Sequence, residues 1–175
     1  MKFVKTKFNG VYLIEIEKNL DERGFFARTF DKKQFLELGL DVDLFQCNIS
    51  FNKKIGTLRG MHYQDSPYAE TKIIRCTQGK IFDVIIDLRS DSPTYREWIS
   101  FELSSQNYKM IYIPKGFAHG FQTLEDNTEI FYNMSDCYMP KYANGIAWND
   151  KSINIKWPIE NPILSDNDKL YKFLI

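Results

Sequence analysis

The sequence is poor in the features that mark several large classes of protein. Only three of its 175 residues are cysteines. An odd number of scattered cysteines indicates reduced thiols, not a disulfide framework or a zinc motif. No apolar run is long enough to span a membrane, because Asp83 and Asp87 interrupt the most apolar segment, 81–88. The first five residues lack the apolar core of a signal peptide. We therefore expect a cytoplasmic protein that does not bind membranes.

Net charge is absent as well. The 23 basic and 23 acidic residues are well mixed along the chain, which argues against general nucleic-acid binding, although single pockets can still be basic. The hydrophobic share of 43% suits a compact globule of ordinary size. No repeat, low-complexity segment or linker divides the chain. We predict one domain over residues 1–175.

Histidine is scarce, with two residues in the whole chain. His62 lies in the run 56–64, whose alternation predicts a strand with Leu58, Gly60, His62 and Gln64 on an inward face. Buried polar groups without partners are costly, so such a row indicates a wet, ligand-binding cavity. His119 follows a Pro/Gly turn that leads into an aromatic strand. A structural histidine is the alternative for each, but one shared pocket explains both more simply.

The middle of the chain has the pattern of an all-β protein. Short segments rich in Ile, Val, Phe and Tyr alternate with turn residues. The predicted strands there are 44–51, 58–64, 72–76, 80–89, 98–103, 109–113, 119–124 and 129–134. Many short strands without intervening helices predict antiparallel sheets that form a sandwich or barrel, and polar residues facing inward would make the barrel a container.

The remaining segments predict two further strands and two short helices. The strands are 11–16 and the aromatic segment 25–30. Asp31 is placed to cap a helix that Gly39 ends, with Phe30 and Phe35 as a hydrophobic staple. Ser165 is placed to cap a second helix near the end of the chain.

These residues, taken together, resemble a known enzyme family. The matching segments are 23–24, 58–64, 82–84, 87–89, 92–94, 113–114, 116–121, 148–150 and 164–165 with Asp168. In this order and spacing they resemble the dTDP-4-dehydrorhamnose 3,5-epimerases. The resemblance implies an all-β fold, a cupin-type antiparallel jelly-roll β-barrel with a few short helices. It also implies epimerisation at C3, C5 or both of a nucleotide-linked 4-keto-6-deoxy sugar, without a cofactor.

The resemblance also implies four catalytic roles. A carbon beside a ketone loses its proton to a base on one face and regains one from an acid on the other, while the enolate oxygen is stabilised. His62 would be the base, since an unperturbed imidazole has a pKa of about 6.5. Asp168 would orient it. Lys72 would stabilise the enolate and Tyr132 would donate the proton.

Each of three roles has a plain structural alternative. Asp168 stands three residues after Ser165, where it would be an ordinary capping acid, and one oxygen cannot serve both purposes. Lys72 could be a solvated lysine at a strand end. Tyr132 is one of ten tyrosines and would otherwise be interpreted as a core aromatic.

Substrate-binding positions follow from the same resemblance. Arg23 and Arg59 match positions that bind the diphosphate, for which the guanidinium fork is well suited. Tyr138 matches an aromatic that stacks on the nucleotide base. The other implied positions are Phe26, Arg28, Gln46, Asn48 and His119.

Three positions depart from the family pattern. Arg28 and Ala143 stand where acidic residues are expected, and Asn167 replaces a lysine ahead of the final aspartate. All three belong to nucleotide or phosphate recognition, whereas the catalytic set is intact. We hypothesise that the chemistry is kept while the nucleotide or sugar has changed, for example to a CDP- or GDP-linked 4-keto sugar.

Metal binding is not expected. Metal-binding cupins use about three histidines and a glutamate, with a His-x-His pair on the first strand. Here the second position of that pair is Gln64, and the chain has two histidines in total.

Two other functions stay open, together with the state of assembly. A sugar-nucleotide ketoisomerase uses similar base chemistry, and a non-catalytic sugar-binding cupin belongs to a different class. The complete set of base, acid and cation favours the epimerase. The resemblance further implies a homodimer in which the aromatic segment 1–30 contributes to its neighbour.

Overall fold

The structure, a computed structural model, describes residues 1–174. The strands in this part of the chain are β1 (Lys2–Lys5), β2 (Tyr12–Glu15), β3 (Asn19–Asp21), β4 (Gly24–Phe26), β5 (Gln46–Asn52), β6 (Leu58–Gln64), β7 (Lys72–Gln78), β8 (Lys80–Asp87), β9 (Trp98–Ser104), β10 (Met110–Ile113), β11 (Phe117–Thr123), β12 (Thr128–Met134) and β13 (Ala143–Gly145). The helices are α1 (Lys32–Glu37) and α2 (Asp166–Leu170). No helix in this part of the chain is long and apolar enough to cross a membrane.

Two antiparallel sheets face each other. One has the strand order β1-β2-β10-β7-β12-β5 and the other the order β13-β6-β11-β8-β9, while β3 and β4 form a separate hairpin. The side chains between the two sheets form an apolar core that includes Ile74, Ile85, Ile111 and Phe121. This arrangement confirms the predicted all-β barrel of antiparallel sheets.

A second apolar cluster forms where α1 packs. Asp31 begins this helix, since its carboxylate accepts hydrogen bonds from the backbone N–H groups of residues 33 and 34. Phe35 is fully buried against Tyr112, with ring centroids 5.9 Å apart, and Phe30 lies 5.2 Å from it as the predicted staple. Gly39, with φ at +69°, follows the helix end. The predicted cap, staple and stop are all confirmed.

The N-terminal strands differ most from the prediction. The segment predicted as one strand, 25–30, is extended only to Phe26, because β4 pairs with the three residues of β3 and has no longer partner. Beyond it, the Arg28 guanidinium lies 3.2 Å from Asp31. The short strands β1 and β13 were not predicted; both are edge strands of their sheets.

The turn after β8 is built around Asp87, one of the two acids that interrupt the apolar segment. Its side chain is fully buried. One oxygen accepts from the Arg89 guanidinium at 2.7 Å, from Ser92 Oγ at 2.6 Å and from Thr94 Oγ1 at 2.7 Å. Burial alone would raise the pKa of Asp87, but these hydrogen bonds outweigh it and lower the pKa to about 2. This segment of the family pattern is therefore structural.

Replacing Asp87 with asparagine is expected to destabilise the fold in a pH-dependent way. A pKa that falls from 3.8 to about 2 on folding corresponds to about 2–3 kcal/mol of stability near neutral pH. Because the folded-state pKa is the lower one, this contribution is present above about pH 4 and is lost as the pH falls toward 2. Urea unfolding at pH 7, 4 and 3 should show the difference between wild type and Asp87→Asn narrowing. A difference that stays constant would contradict the assignment.

Candidate active site

The two histidines lie side by side between the sheets. His62 on β6 is directly opposite His119 on β11. Tyr132 comes from β12 in the facing sheet, and its ring centroid lies 6.2 Å from that of His119 in an edge-on contact. The structure thus brings the two histidines together, and a third side chain reaches them from the other sheet.

A β-bulge determines which residues of β6 share a face of the sheet with His62. Arg59 pairs with Phe121 and His62 with His119, so that residues 60 and 61 together oppose Gly120 alone. Phe121 and His119 are two residues apart on β11, so their side chains lie on the same face of the sheet. Their partners, Arg59 and His62, therefore lie on that face as well. The predicted row was wrong in this respect: Arg59 joins His62, while Leu58 pairs with Gln122 on the other face.

The bulge depends on two glycines in contact. A Cβ added to Gly60 would lie 2.5 Å from the Gly120 Cα, and a Cβ added to Gly120 would lie 2.8 Å from the Arg59 carbonyl oxygen. Neither distance is sterically possible, so the two strands approach this closely only because both residues lack a side chain. The glycines thereby place His62 and Arg59 on one face.

Asp168 holds His62 in place. Its Oδ1 lies 2.5 Å from His62 Nε2, and its Oδ2 accepts a hydrogen bond of 2.9 Å from Ser165 Oγ. Ser165 is the N-cap of α2, so Asp168 belongs to the helix cap and to the histidine pair at once, one oxygen for each. Burial raises the pKa of Asp168, but the hydrogen bonds from His62 and Ser165 more than offset it and hold the pKa below its usual value. The Tyr171 ring packs edge-on against His62 at 5.6 Å.

Lys72 bridges the two sheets beside this pair. Its ammonium Nζ donates to the His62 carbonyl oxygen at 3.2 Å and lies 3.0 Å from Glu70 Oε1. The Lys72 side chain is 9% exposed and that of Glu70 is 4% exposed. Lys72 is therefore a buried, paired cation and not the solvated lysine of the alternative interpretation.

A second histidine–carboxylate pair lies deeper. His119 Nε2 is 2.7 Å from Asp83 Oδ2, both side chains are buried, and Asp83 Oδ1 has no hydrogen-bond partner in the described part of the chain. Burial raises the pKa of Asp83, and the His119 and Lys72 charges oppose the rise only in part. Burial also raises the pKa of Tyr132, and the nearby charge of Asp83 adds to the effect. Both effects favour the neutral, protonated form of the Tyr132 phenol.

Other predicted binding residues lie on β5, on β6 and in the segment after β12. Arg59 Nε donates to Asn52 Oδ1 at 2.7 Å, which joins β6 to β5. On β5, Asn48 is directly opposite Tyr132. Two residues along, Gln46 Oε1 accepts from the backbone N–H of Tyr138 at 3.1 Å, and Tyr138 is exposed.

Three predicted binding residues do not reach the cleft between the sheets within the chain. Arg23 and Phe26 lie on the β3–β4 hairpin, with Arg28 just after it. Arg23 pairs with its neighbour Asp21 at 2.6 Å, and Phe26 is 70% exposed. Phe25, on the other face of the hairpin, packs against the Tyr108 ring at 5.1 Å. The hairpin is thus anchored on one face and presents the other to the outside.

The sequence also held a signal for a residue that was missed. Asp83 was noted as an interruption of an apolar strand and within a matching segment, but was given no role. A charged residue in such a strand needs a buried partner, and His119 is that partner. Glu70 carried no such signal. Within residues 1–174 no three His, Cys, Asp or Glu side chains gather as they would around a metal.

Comparison with known proteins agrees with this architecture. Residues 5–175 match the sequence model of the family described as dTDP-4-dehydrorhamnose 3,5-epimerase. A protein of that name from Shigella flexneri is 46% identical over 169 residues, covering 96% of this chain and 93% of the relative.

Two solved structures are close in shape as well. The dTDP-4-dehydrorhamnose 3,5-epimerase of Bacillus anthracis, with TDP and PPi bound, has a TM-score of 0.96 at 42% identity and 99% coverage of both chains. An epimerase from Legionella pneumophila in complex with dTDP-4-keto-L-rhamnose has a TM-score of 0.92 at 36% identity, covering 98% of this chain and 92% of the other. The predicted cupin-type fold is confirmed, and the chain belongs to the dTDP-4-dehydrorhamnose 3,5-epimerase family.

Proposed function

We propose that this chain epimerises a dTDP-linked 4-keto-6-deoxy sugar in the cleft between its sheets. The observation that carries the proposal is the placement of His62 and Tyr132 on the two facing sheets, each next to His119, with Lys72 bonded to the His62 backbone. A sugar ring between the sheets would meet a base on one side and an acid on the other, which is the arrangement that inversion at a carbon beside a ketone requires.

The proposed steps balance in protons. His62, oriented by Asp168 at 2.5 Å, removes the proton from the carbon beside the ketone and becomes imidazolium. The electron pair moves to the ketone oxygen, where the Lys72 ammonium stabilises the enolate. Tyr132 then donates its proton to the opposite face of that carbon, the phenolate recovers a proton from solvent, and the His62 imidazolium releases its proton to solvent.

The substrate-binding roles are proposals of the same kind. Arg59 lies on the same face of β6 as His62, where its guanidinium would meet the diphosphate. Exposed Tyr138 at the rim would stack on the base, and Gln46 holds its backbone. His119 would line the sugar subsite.

The nucleotide is tested separately, since Arg28, Ala143 and Asn167 raised the hypothesis of a changed base. We expect dTDP to be preferred because the family relatives are named for dTDP sugars. Isothermal titration with TDP, CDP and GDP would measure the affinities. A clear preference for CDP or GDP would overturn the choice of nucleotide and support the changed base.

The reaction is tested by NMR in deuterated water with the three nucleotide-linked sugars. Deuterium that enters at C3, C5 or both, together with inverted product, would support epimerisation and say which centre reacts. No exchange with any of the three would contradict the proposal. A carbonyl that moves to C3 would favour the ketoisomerase instead.

We also propose that the chain acts as a homodimer and that the β3–β4 hairpin reaches the partner's cleft. Phe26 and the outward-facing Ile49 of β5 are 70% and 64% exposed, and Arg23 contacts no cleft residue of its own chain among the described contacts. Sedimentation equilibrium is expected to give a dimer, and Phe26→Ser is expected to weaken both dimerisation and activity. A wild-type monomer at micromolar concentration would refute this. The cytoplasmic location stays a prediction.

A further inference from the structure

Lys72 is paired with the carboxylate of Glu70, a residue to which no role has been assigned so far. The Glu70–Lys72 pair is buried on both sides, and its two charged atoms lie 3.0 Å apart. A buried ion pair is tolerated only when the remaining hydrogen-bonding positions of both groups are satisfied. The Lys72 ammonium meets this condition in part through the His62 carbonyl oxygen, at 3.2 Å.

Gln64 satisfies the other oxygen of Glu70. Its amide Nε2 donates to Glu70 Oε2 at 2.9 Å. The same side-chain amide holds the segment 137–139, since its Oε1 accepts from the Met139 N–H at 2.7 Å and its Nε2 lies 3.1 Å from the Cys137 carbonyl oxygen. One buried amide therefore contacts both the partner of Lys72 and the two residues that flank Tyr138.

Tyr138 is fixed between these two contacts. Its own backbone N–H donates to Gln46 Oε1 at 3.1 Å. Three successive residues, 137–139, are thus hydrogen-bonded to glutamine side chains, while the Tyr138 ring itself stays exposed. These bonds fix the backbone position from which the Tyr138 ring projects.

We propose that Glu70 and Gln64 are positioning residues of the active site. Glu70 holds the Lys72 ammonium in place and aimed at the enolate oxygen, and Gln64 links this pair to the segment that carries Tyr138. The inference rests on the roles proposed above for Lys72 and Tyr138. Burial alone would make Glu70 and Gln64 important only for stability, whereas the inference gives them an effect on the rate of catalysis.

The first test is Glu70→Gln, which keeps the shape and removes the charge. We expect kcat for deuterium exchange to fall about 10- to 100-fold, because a small misplacement of a catalytic group has effects of this size, while the dissociation constant of TDP changes less than about twofold. Asp87→Asn is the matched control: it neutralises another buried carboxylate, paired with Arg89 away from the cleft. It is expected to lower stability and leave kcat unchanged.

A double-mutant cycle separates positioning from a merely structural role. If Glu70 acts through Lys72, then Glu70→Gln combined with Lys72→Met is no slower than Lys72→Met alone. Independent, additive losses would overturn the inference. If Lys72→Met keeps the wild-type kcat, the role proposed for Lys72 is wrong. If Lys72→Met is inactive while Glu70→Gln keeps the wild-type kcat, only the role proposed for Glu70 is wrong.

Gln64→Met tests the link to the rim. It removes every amide hydrogen bond at similar volume, so we expect both a lower kcat and a TDP dissociation constant raised about 5-fold or more. A change in neither quantity would overturn the link. If Glu70→Gln does not fold, as judged by circular dichroism, Glu70→Asp retains the charge and withdraws it from Lys72. Glu70→Asp is expected to lower kcat, but by less than Lys72→Met does. If Glu70→Asp has the kcat of the wild type, the inference is wrong.

Discussion

Substituting alanine for His62 is expected to lower kcat for deuterium exchange by about 10³-fold or more, near the upper range for a general base. The reason is that the carbon acid would lose the one imidazole whose Nε2 is held by Asp168, at 2.5 Å. The affinity for TDP is expected to stay nearly unchanged, because the proposed binding of the diphosphate and of the nucleotide base involves residues other than His62. Exchange would be followed by NMR in deuterated water, and binding by titration calorimetry.

Added imidazole provides the control for His62→Ala. The substitution leaves a space beside Asp168, and free imidazole that enters it is expected to restore part of the exchange. Restoration would show that the lost group acted as a base and that the fold is intact. A variant that exchanges at the wild-type rate would rule out His62 as the base.

Replacing Tyr132 with phenylalanine is expected to separate exchange from inversion. Without a donor on the opposite side, the enolate takes its proton back from His62, so deuterium enters the sugar while the configuration is retained. Formation of the inverted product is expected to fall by about 10²- to 10⁴-fold. Both quantities come from one NMR time course, in which the deuterated starting sugar and the epimer are distinct species.

Tyr95→Phe is the matched control for Tyr132→Phe, because it removes a hydroxyl from an exposed tyrosine outside the cleft. It is expected to behave as wild type in both exchange and inversion. If Tyr132→Phe inverts the sugar at the wild-type rate, another group or water supplies the proton. If it loses exchange along with inversion, Tyr132 is required before the proton is removed, and its role as the final donor is wrong.

The sequence predicted the architecture well because hydrophobic periodicity and turn residues are local signals. Strands and helix caps follow from such signals, whereas the expectation that the two histidines lie together rested on there being only two of them. The role of Asp168 was left between a cap and an orienting acid, and the structure assigns one oxygen to each. The choice between them was not decidable from spacing, since both uses require an acid at the same helical position.

The contacts that sequence reasoning missed depend on pairing between distant segments. A strict period of two placed Arg59 and His62 on opposite faces, and only the register against β11 reveals that they share one. Gln64 was predicted to face inward and was rejected as a metal ligand, but its partners were not predicted: its amide connects β6 to residues 70, 137 and 139. Arg23 and Phe26 matched by local sequence, but their distance from the cleft is decided by how the hairpin packs.

The β-bulge of β6 makes the length of this segment as important as its composition. Deleting either residue 60 or residue 61 would restore regular alternation, and the side chains at the positions of Arg59 and His62 would then point to opposite sides of the sheet. No point substitution could repair that loss, because the fault would lie in the register. A natural or engineered relative can therefore vary the side chains around these two positions, but an insertion or deletion between Arg59 and His62 would separate the proposed phosphate binding from the proposed chemistry.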